Sequence, residues 1–407
     1  MLFVETMAGV LSGCEGCAVG VEFRLGKVDH KKVEDFLVGD TAGVSAVVMD
    51  ARWRRVQGGV VEAAREAGVD VFIDPMTDRL TVPGLSAATL PYAAAGTLDV
   101  DVLARSGPQR SGLVRQVIDI HPGAATAVTA PHVFVTDERS AELNLALAQE
   151  TVQEQDRPVR AVLIMSTKYQ EERVANLAAE YARLGLGRLE LRLSPFGGEE
   201  LSARQIRRGF DRLRAFTDAG LTVTAGWSGT VGQTAVARGA AAHYSVGLGL
   251  LESVDQRRAL TDQQKPRRVR ADGTPVPGGP IPGIYLPGLM LTVPRESGAR
   301  LIDHTDVRTR IGCRTGHCAT TLRGPVIDPR GHYLHAHATH AAWLAGQPST
   351  WRTHGHDDRL QRALELRNLI NGRYLPAGMA RLHTRLHTRT LASLLTDTTG
   401  ARQSDTA

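Results

Sequence analysis

Two cysteines, Cys313 and Cys318, frame the segment CRTGHC, and ten of the fourteen histidines lie between His304 and His387. Thiolate and imidazole bind zinc-like ions through sulfur and nitrogen, so this crowding points to a metal-held module. Zinc takes four tetrahedral ligands, and thiolates held a loop apart suit it. The candidates are Cys313, Cys318, His317 and one of His335, His337, His340 or His354. The plainer reading is a histidine-rich surface above two buried, unreactive thiols. Cys14 and Cys17, in CEGC, have the spacing of a metal knuckle or a dithiol and either join the later pair or are two small buried residues.

A second constellation is acidic. Asp50, Asp74 and Asp137 stand at the ends of the apolar runs VSAVVMD, VDVFIDP and HVFVTDE. Barrel enzymes carry catalytic groups at the carboxyl ends of their strands, so these three, with Ser166, Lys168, Glu190, Arg192 and Trp227, outline a polar mouth. Asp74 leads the set, because Pro75 stops its strand and leaves Met76, Thr77, Asp78 and Arg79 as a loop. Taken singly, each aspartate suits a helix cap or a loop turn better; it is the three together that outline a mouth. A third candidate is the glycine-rich stretch 224–249, where Gly226, Ser228, Gly229, Gly247 and Gly249 could offer backbone N–H groups to a ligand phosphate or serve tight packing at a rim.

The elements that must position these groups are legible as alternation. Short apolar runs at 44–50, 69–75, 132–138, 159–166, 188–195, 221–227 and 243–249 are separated by segments of helical period, among them 58–68, 172–185 and 203–220. Strands buried on both faces and joined by helices form parallel βαβ units. An eighth strand near LFVETMAG or GVEFRLG completes the count for a (β/α)8 TIM-type barrel, and no glycine-rich dinucleotide fingerprint follows the first strand to favour an open doubly wound sheet. The expected organisation is a barrel over 1–255, a basic Pro/Gly-rich linker or loop over 256–288, a β-ribbon (IYLPGLMLTV) plus a Cys/His-containing helical module over 289–397, and a frayed tail over 398–407.

Composition narrows the setting. With 407 residues and 42% hydrophobic content the chain can bury a large core, and no run approaches the ~20 apolar residues of a membrane span, so the cytoplasm is the expected location. Net charge is only +5, but the basic residues cluster, as in KPRRVR at 265–270, which makes RNA or DNA a candidate partner.

The order of parts resembles the tRNA-guanine transglycosylase superfamily, in which a (β/α)8 barrel precedes a β-ribbon, a cysteine-rich zinc site and helices with a Tyr-Leu-His-His-Leu type segment. The features here are IYLPGLMLTV, CRTGHC, Tyr333-Leu334-His335 and THGHDDRLQRALELRNLI. The resemblance implies zinc at Cys313 and Cys318 with His354 as the distant ligand, and it sets Asp74 at the place of the aspartate ending an early barrel strand. It implies base-exchange chemistry on, or binding of, a nucleic-acid base or nucleoside. The family's Asp-Ser-Gly-Gly-Phe-Gln loop does not follow Asp74, and HYSVGLG carries no late aspartate. Two further expectations therefore stand beside this one: a metabolic barrel enzyme for a small phosphorylated substrate, and a non-catalytic nucleic-acid-binding barrel.

Overall fold

The computed structural model describes residues 19–81, 90–92, 98–249, 252–256, 258–259, 283–313, 315, 318, 323–374 and 385–404. Cys14, Cys17, His317 and the KPRRVR run lie outside them. Strand and helix alternate from the start: β1 (Gly20–Arg24), α1 (His30–Leu37), β2 (Val44–Asp50), α2 (Gly58–Glu66), β3 (Asp70–Asp74), then α3 (Val100–Arg105) and α4 (Gly107–Asp119). The fourth stave is split into β4 (Val128–Thr129) and β5 (Phe134–Val135), and α5 (Glu138–Glu154) follows. Next come β6 (Val159–Ser166), α6 (Glu171–Arg183), β7 (Arg188–Ser194), β8 (Phe196–Gly197), α7 (Ala203–Asp218), β9 (Thr222–Ala225), α8 (Gly229–Ala237) and β10 (His243–Gly247).

The staves run parallel in the order β3-β2-β1-β10-β9-β7-β6-β4, with β5 also paired to β6, so eight staves form a nearly closed barrel. Across the remaining seam, Thr126 N–H donates to Val71 O (3.0 Å) and Val71 N–H donates to Thr126 Oγ1 (2.9 Å). HVFVTDE, expected as one strand, contributes only Phe134 and Val135 to the ladder, because Asn144 of α5 takes both backbone groups of Val133. Gly185 (φ 72°) and Gly220 (φ 91°) close α6 and α7 in the left-handed conformation that their sequence positions predict.

Period 2 divides each stave. Val21 and Phe23 of β1, Ala161, Leu163 and Met165 of β6, and Leu189, Leu191 and Leu193 of β7 join the main core beneath the helices. Their neighbours Glu22, Arg24, Arg160, Glu190 and Arg192 point to the barrel axis, where they meet one another. A small apolar cluster of Ala46, Val48, Phe72 and Ala127 fills the opposite side.

After β10, β11 (Ser253–Val254) pairs antiparallel with β8, and β12 (Gly283–Leu286) with β13 (Leu291–Pro294) forms the ribbon. The ribbon thus begins inside the 256–288 range read from sequence as linker. Helices α9 (Arg295–Asp303), α10 (Thr305–Ile311), α11 (Gly324–Ile327), α12 (Pro329–Ala345), α13 (Ser349–Leu369) and α14 (Arg389–Ser404) complete the fold, α14 extending through the first residues of the expected tail. Helix α12 packs on β1 and α1, α13 on α8, and α14 on α7. Leu334, Ala338, Ala341 and Leu344 of α12 are part of the barrel's own core, so this helix fills the outer position that the eighth unit requires. Among the described residues no helix is long and apolar enough to cross a membrane.

Candidate functional site

Six buried charges occupy the barrel axis: Glu22, Asp74 and Glu190 against Arg24, Arg160 and Arg192. Arg24 bridges Asp74 and Glu190 (3.1 Å to the latter), and Arg192 bridges the same two at 2.6 and 2.9 Å. Arg160 joins Glu22 to Glu190 (3.2 Å), while Thr224 and Ser245 hydroxyls donate to Glu22 (2.6 Å) and Glu190 (3.0 Å). Burial raises a carboxyl pKa, but Arg192 and then Arg24 outweigh it, so Asp74 and Glu190 are held well below the usual carboxylate range. Asp74 also accepts the Met76 N–H at 2.8 Å. A fully buried carboxylate with these donors is a weak base and a weak nucleophile; its geometry is that of an anchor.

Above this layer the mouth is less satisfied. Thr77 Oγ1 donates to His132 O (2.7 Å) and accepts from His132 N (2.6 Å), which ties His132 to the loop after β3. The His132 ring is buried; its Nδ1 faces Ala130 O at 3.3 Å, so the proton sits there and Nε2 carries the lone pair. That Nε2 has no hydrogen bond among the described residues and lies 3.6 Å from Asp74 and 3.7 Å from Asp78. Burial holds the imidazole pKa below its ordinary value despite the two carboxylates. Asp78 Oδ2 accepts from Gln256 Nε2 (2.6 Å), while Asp78 Oδ1, Tyr92 OH and Trp227 Nε1 are buried without partners among the described residues. Trp227 (φ 47°) and Met76 (φ 58°) both hold left-handed backbone just past strand ends. The Trp227 ring roofs the network, 5.1 Å from the Arg24 guanidinium and 5.5 Å from that of Arg192.

The sequence-derived site residues divide. Asp74, Glu190, Arg192 and Trp227 converge. Asp50 stands at the end of β2, fixed by Arg52, whose Nε donates at 2.9 and 3.0 Å. Asp137 caps α5, accepting Ser140 N–H at 2.9 Å in a reciprocal capping box, and Lys168 is exposed beyond β6. Gly226 serves packing, since a Cβ there would meet Arg192 Cγ (2.5 Å) and Glu190 Oε1 (2.9 Å). Ser228 spends its hydroxyl on Ala225 O (2.8 Å). Gly229 abuts Glu252: a Cβ would lie 2.9 Å from that side chain, so a carboxylate already faces the first turn of α8. Gly247 ends β10 and Gly249 adopts φ 98° just after it. Arg24, Arg160, His132 and Gln256 were not singled out by sequence. The alternation in GVEFR and RLELRLS, charges at every second position of a strand, is the signal that marks the inward face.

The other cluster gathers Cys313, Cys318, His332 and His335, whose ligand atoms all lie within 4.8 Å of one another. Cys313 Sγ is 3.2 Å from His335 Nε2, and Cys318 Sγ is 3.4 Å from His332 Nδ1. Tetrahedral zinc with bonds of 2.0–2.3 Å sets ligand atoms about 3.3–3.8 Å apart, so the set fits such an ion after small adjustments. His332 Nε2 donates to Tyr285 O at 2.6 Å, leaving Nδ1 free as a ligand, the usual second partner of a metal-bound histidine. A hydrogen bond from the Cys318 thiol is the largest of the influences that push the Cys313 thiol far down. His354 is not in this group. It lies on α13, its side chain 55% exposed and 3.9 Å from Asp358; the rings of α12, three residues apart on one face, take the place expected for it. A cavity of about 610 Å³ beside Cys318, His332 and His335 opens toward Lys32 and Phe36 of α1.

No family model matches the chain, and no curated protein matches it. Among solved structures it is similar to a thiamine phosphate pyrophosphorylase from Pyrococcus furiosus, at 13% identity over 61% of this chain and 94% of that one, with a TM-score of 0.33. It is similar also to an orotidine 5'-monophosphate decarboxylase from Metallosphaera sedula, at 12% identity over 60% of this chain and 95% of that one, with a TM-score of 0.31.

Proposed function

We propose that the protein is a barrel enzyme acting on a small phosphorylated substrate at the carboxyl-terminal mouth, with His132 moving the proton. The observation that carries the reading is His132 Nε2: buried and, like Asp78 Oδ1, Tyr92 OH and Trp227 Nε1, without a hydrogen-bond partner among the described residues. A depressed pKa leaves the imidazole unprotonated near neutrality, the state a general base needs. Arg79 supplies the anion preference. It is half-buried, has no ion pair among the described residues, and its pKa is lowered by burial and by the nearby Arg52 cation, so an anionic group relieves both. Asp74 and Glu190 position Arg24 and Arg192 beneath the substrate.

The Cys/His set, holding a zinc ion through four protein ligands, would pin the 313–318 segment to α12 and keep the barrel's eighth helix in place. When bound, such an ion supplies folding energy, since a closed site leaves no open position for chemistry. A second reading, base exchange on a nucleic acid, is favoured by the ribbon and Cys/His set standing after the barrel in the order the family resemblance implies. It has to do without a nucleophilic Asp74.

The test is a panel of phosphate monoesters and a mixed-sequence RNA and DNA, titrated calorimetrically into the protein and into its variants. The reading expects a monoester to bind, Arg79→Ala to weaken it at least tenfold, and His132→Gln to abolish turnover while sparing affinity. Salt-sensitive polynucleotide binding with indifference to every monoester would replace it with the second reading.

A further inference from the structure

A second cavity, of about 560 Å³, lies far along the chain from the barrel mouth residues, between the ribbon turn, α10, α12 and α13. Its polar lining is Arg310, Arg359, Arg362 and Glu365. Two close approaches build it. Gly288 in the ribbon turn sits directly against the Arg310 carbonyl, where a Cβ would overlap backbone, and this sets the end of α10 at the rim. Gly355 leaves room for the Trp343 indole, since a Cβ there would lie 3.1 Å from the ring. One turn further along α13, Arg359 lies over the same indole at 4.9 Å.

None of the three guanidiniums has a carboxylate partner among the described residues. Arg359 is held by the indole face, and Arg362 donates from Nε to the Asp358 carbonyl at 3.0 Å. Glu365, the one acid in the lining, accepts from Gln361 at 2.8 Å. Two other partly buried arginines of this chain do have an acid, Arg238 in Asp357 and Arg110 in Glu150. Three cations around one hollow, less one acid, leave an excess of two positive charges. Burial and the neighbouring Arg362 both disfavour the Arg359 cation, which an incoming anion would offset.

We infer that this cavity binds a phosphorylated ligand through Arg310, Arg359 and Arg362, separately from the barrel mouth. Guanidinium forks match phosphate oxygens two at a time, and a doubly charged group answers the excess better than one carboxylate does. The inference does not depend on the function proposed for the mouth.

Inorganic pyrophosphate is the probe, titrated calorimetrically into the full-length protein at low salt. To silence the mouth, the titration is made on Arg79→Ala, and again on Arg79→Ala carrying Arg310→Ala and Arg362→Ala. The two added substitutions fall on exposed side chains, so the melting temperature without ligand should not move. The expected result is about one equivalent bound by Arg79→Ala and an affinity at least tenfold weaker in the triple variant. Absence of binding to Arg79→Ala, or equal binding by both proteins, overturns the site. Failure of every monoester to bind the protein with Arg79 intact, with pyrophosphate binding retained here, would end the proposed function and leave this inference standing.

Discussion

The barrel axis and the histidine-rich helices bury polar side chains in opposite ways. On the axis, three carboxylates meet three guanidiniums and nearly every oxygen has a donor. In the helices, imidazoles are buried among other rings. His337 lies between Tyr285 and Tyr333 at 4.3 and 4.4 Å, and His340 stacks on His356 at 5.4 Å, both of its own nitrogens without a partner among the described residues. A charge can leave water only with a counter-charge, whereas a neutral imidazole can be buried at the lesser cost of an unmade hydrogen bond. The axis is therefore held by charge pairing, and the helical side by the packing of rings.

The comparison breaks most sharply at Glu190. Glu190→Ala leaves three guanidiniums against two carboxylates, Asp74 and Glu22, and urea unfolding should show a loss of about 3–5 kcal/mol, the usual result of leaving one buried charge uncompensated. A loss under about 1 kcal/mol would mean that the network is not closed. Next in size is the metal. Cys318→Ser should remove bound zinc, measured by elemental analysis, and forfeit about 3 kcal/mol of the stability that a ligand at a hundredfold excess over its Kd confers.

Acid sharpens the contrast further. Burial depresses His121 and His243 to about 4 and His356 to about 3, and it lowers His340 as well. Unfolded histidines titrate near 6.5, so the unfolded chain binds more protons once pH falls below that value. Stability is then full above about 6.5 and declines towards pH 3–4, by up to about 1.4 kcal/mol per pH unit for each group. His340→Leu should flatten the slope by one group's share in pH-dependent unfolding; an unchanged slope would show that the ring is hydrated. The smallest effect belongs to His354→Ala, where an exposed ring near Asp358 should leave metal content intact and stability within about 0.5 kcal/mol.

How far the sequence reached varies with the element. GVEFR, VSAVVMD and RLELRLS fold as staves where periodicity sets them, and GGVVEAAREAG begins α2 where its apolar spacing does. HVFVTDE falls short of a full strand, because Asn144 and Thr77, distant in sequence, take its backbone groups. Cys313, Cys318 and His335 were legible as metal candidates, whereas His332 was hidden by the number of histidines around it. Its role appears only where Tyr285 O fixes its tautomer.

The chain by itself determined a local fact repeated many times: which side of each strand or helix is apolar, and hence eight parallel staves with helices outside. Two periodicities suffice for that, because each is a property of neighbouring residues. Tertiary structure decided which side chains from different staves meet. Whether Asp74 faces two guanidiniums or open solvent, and whether α12 or another helix closes the barrel, depends on register and closure across the whole sheet. Those are set by the sum of contacts over the barrel, and no segment carries them alone.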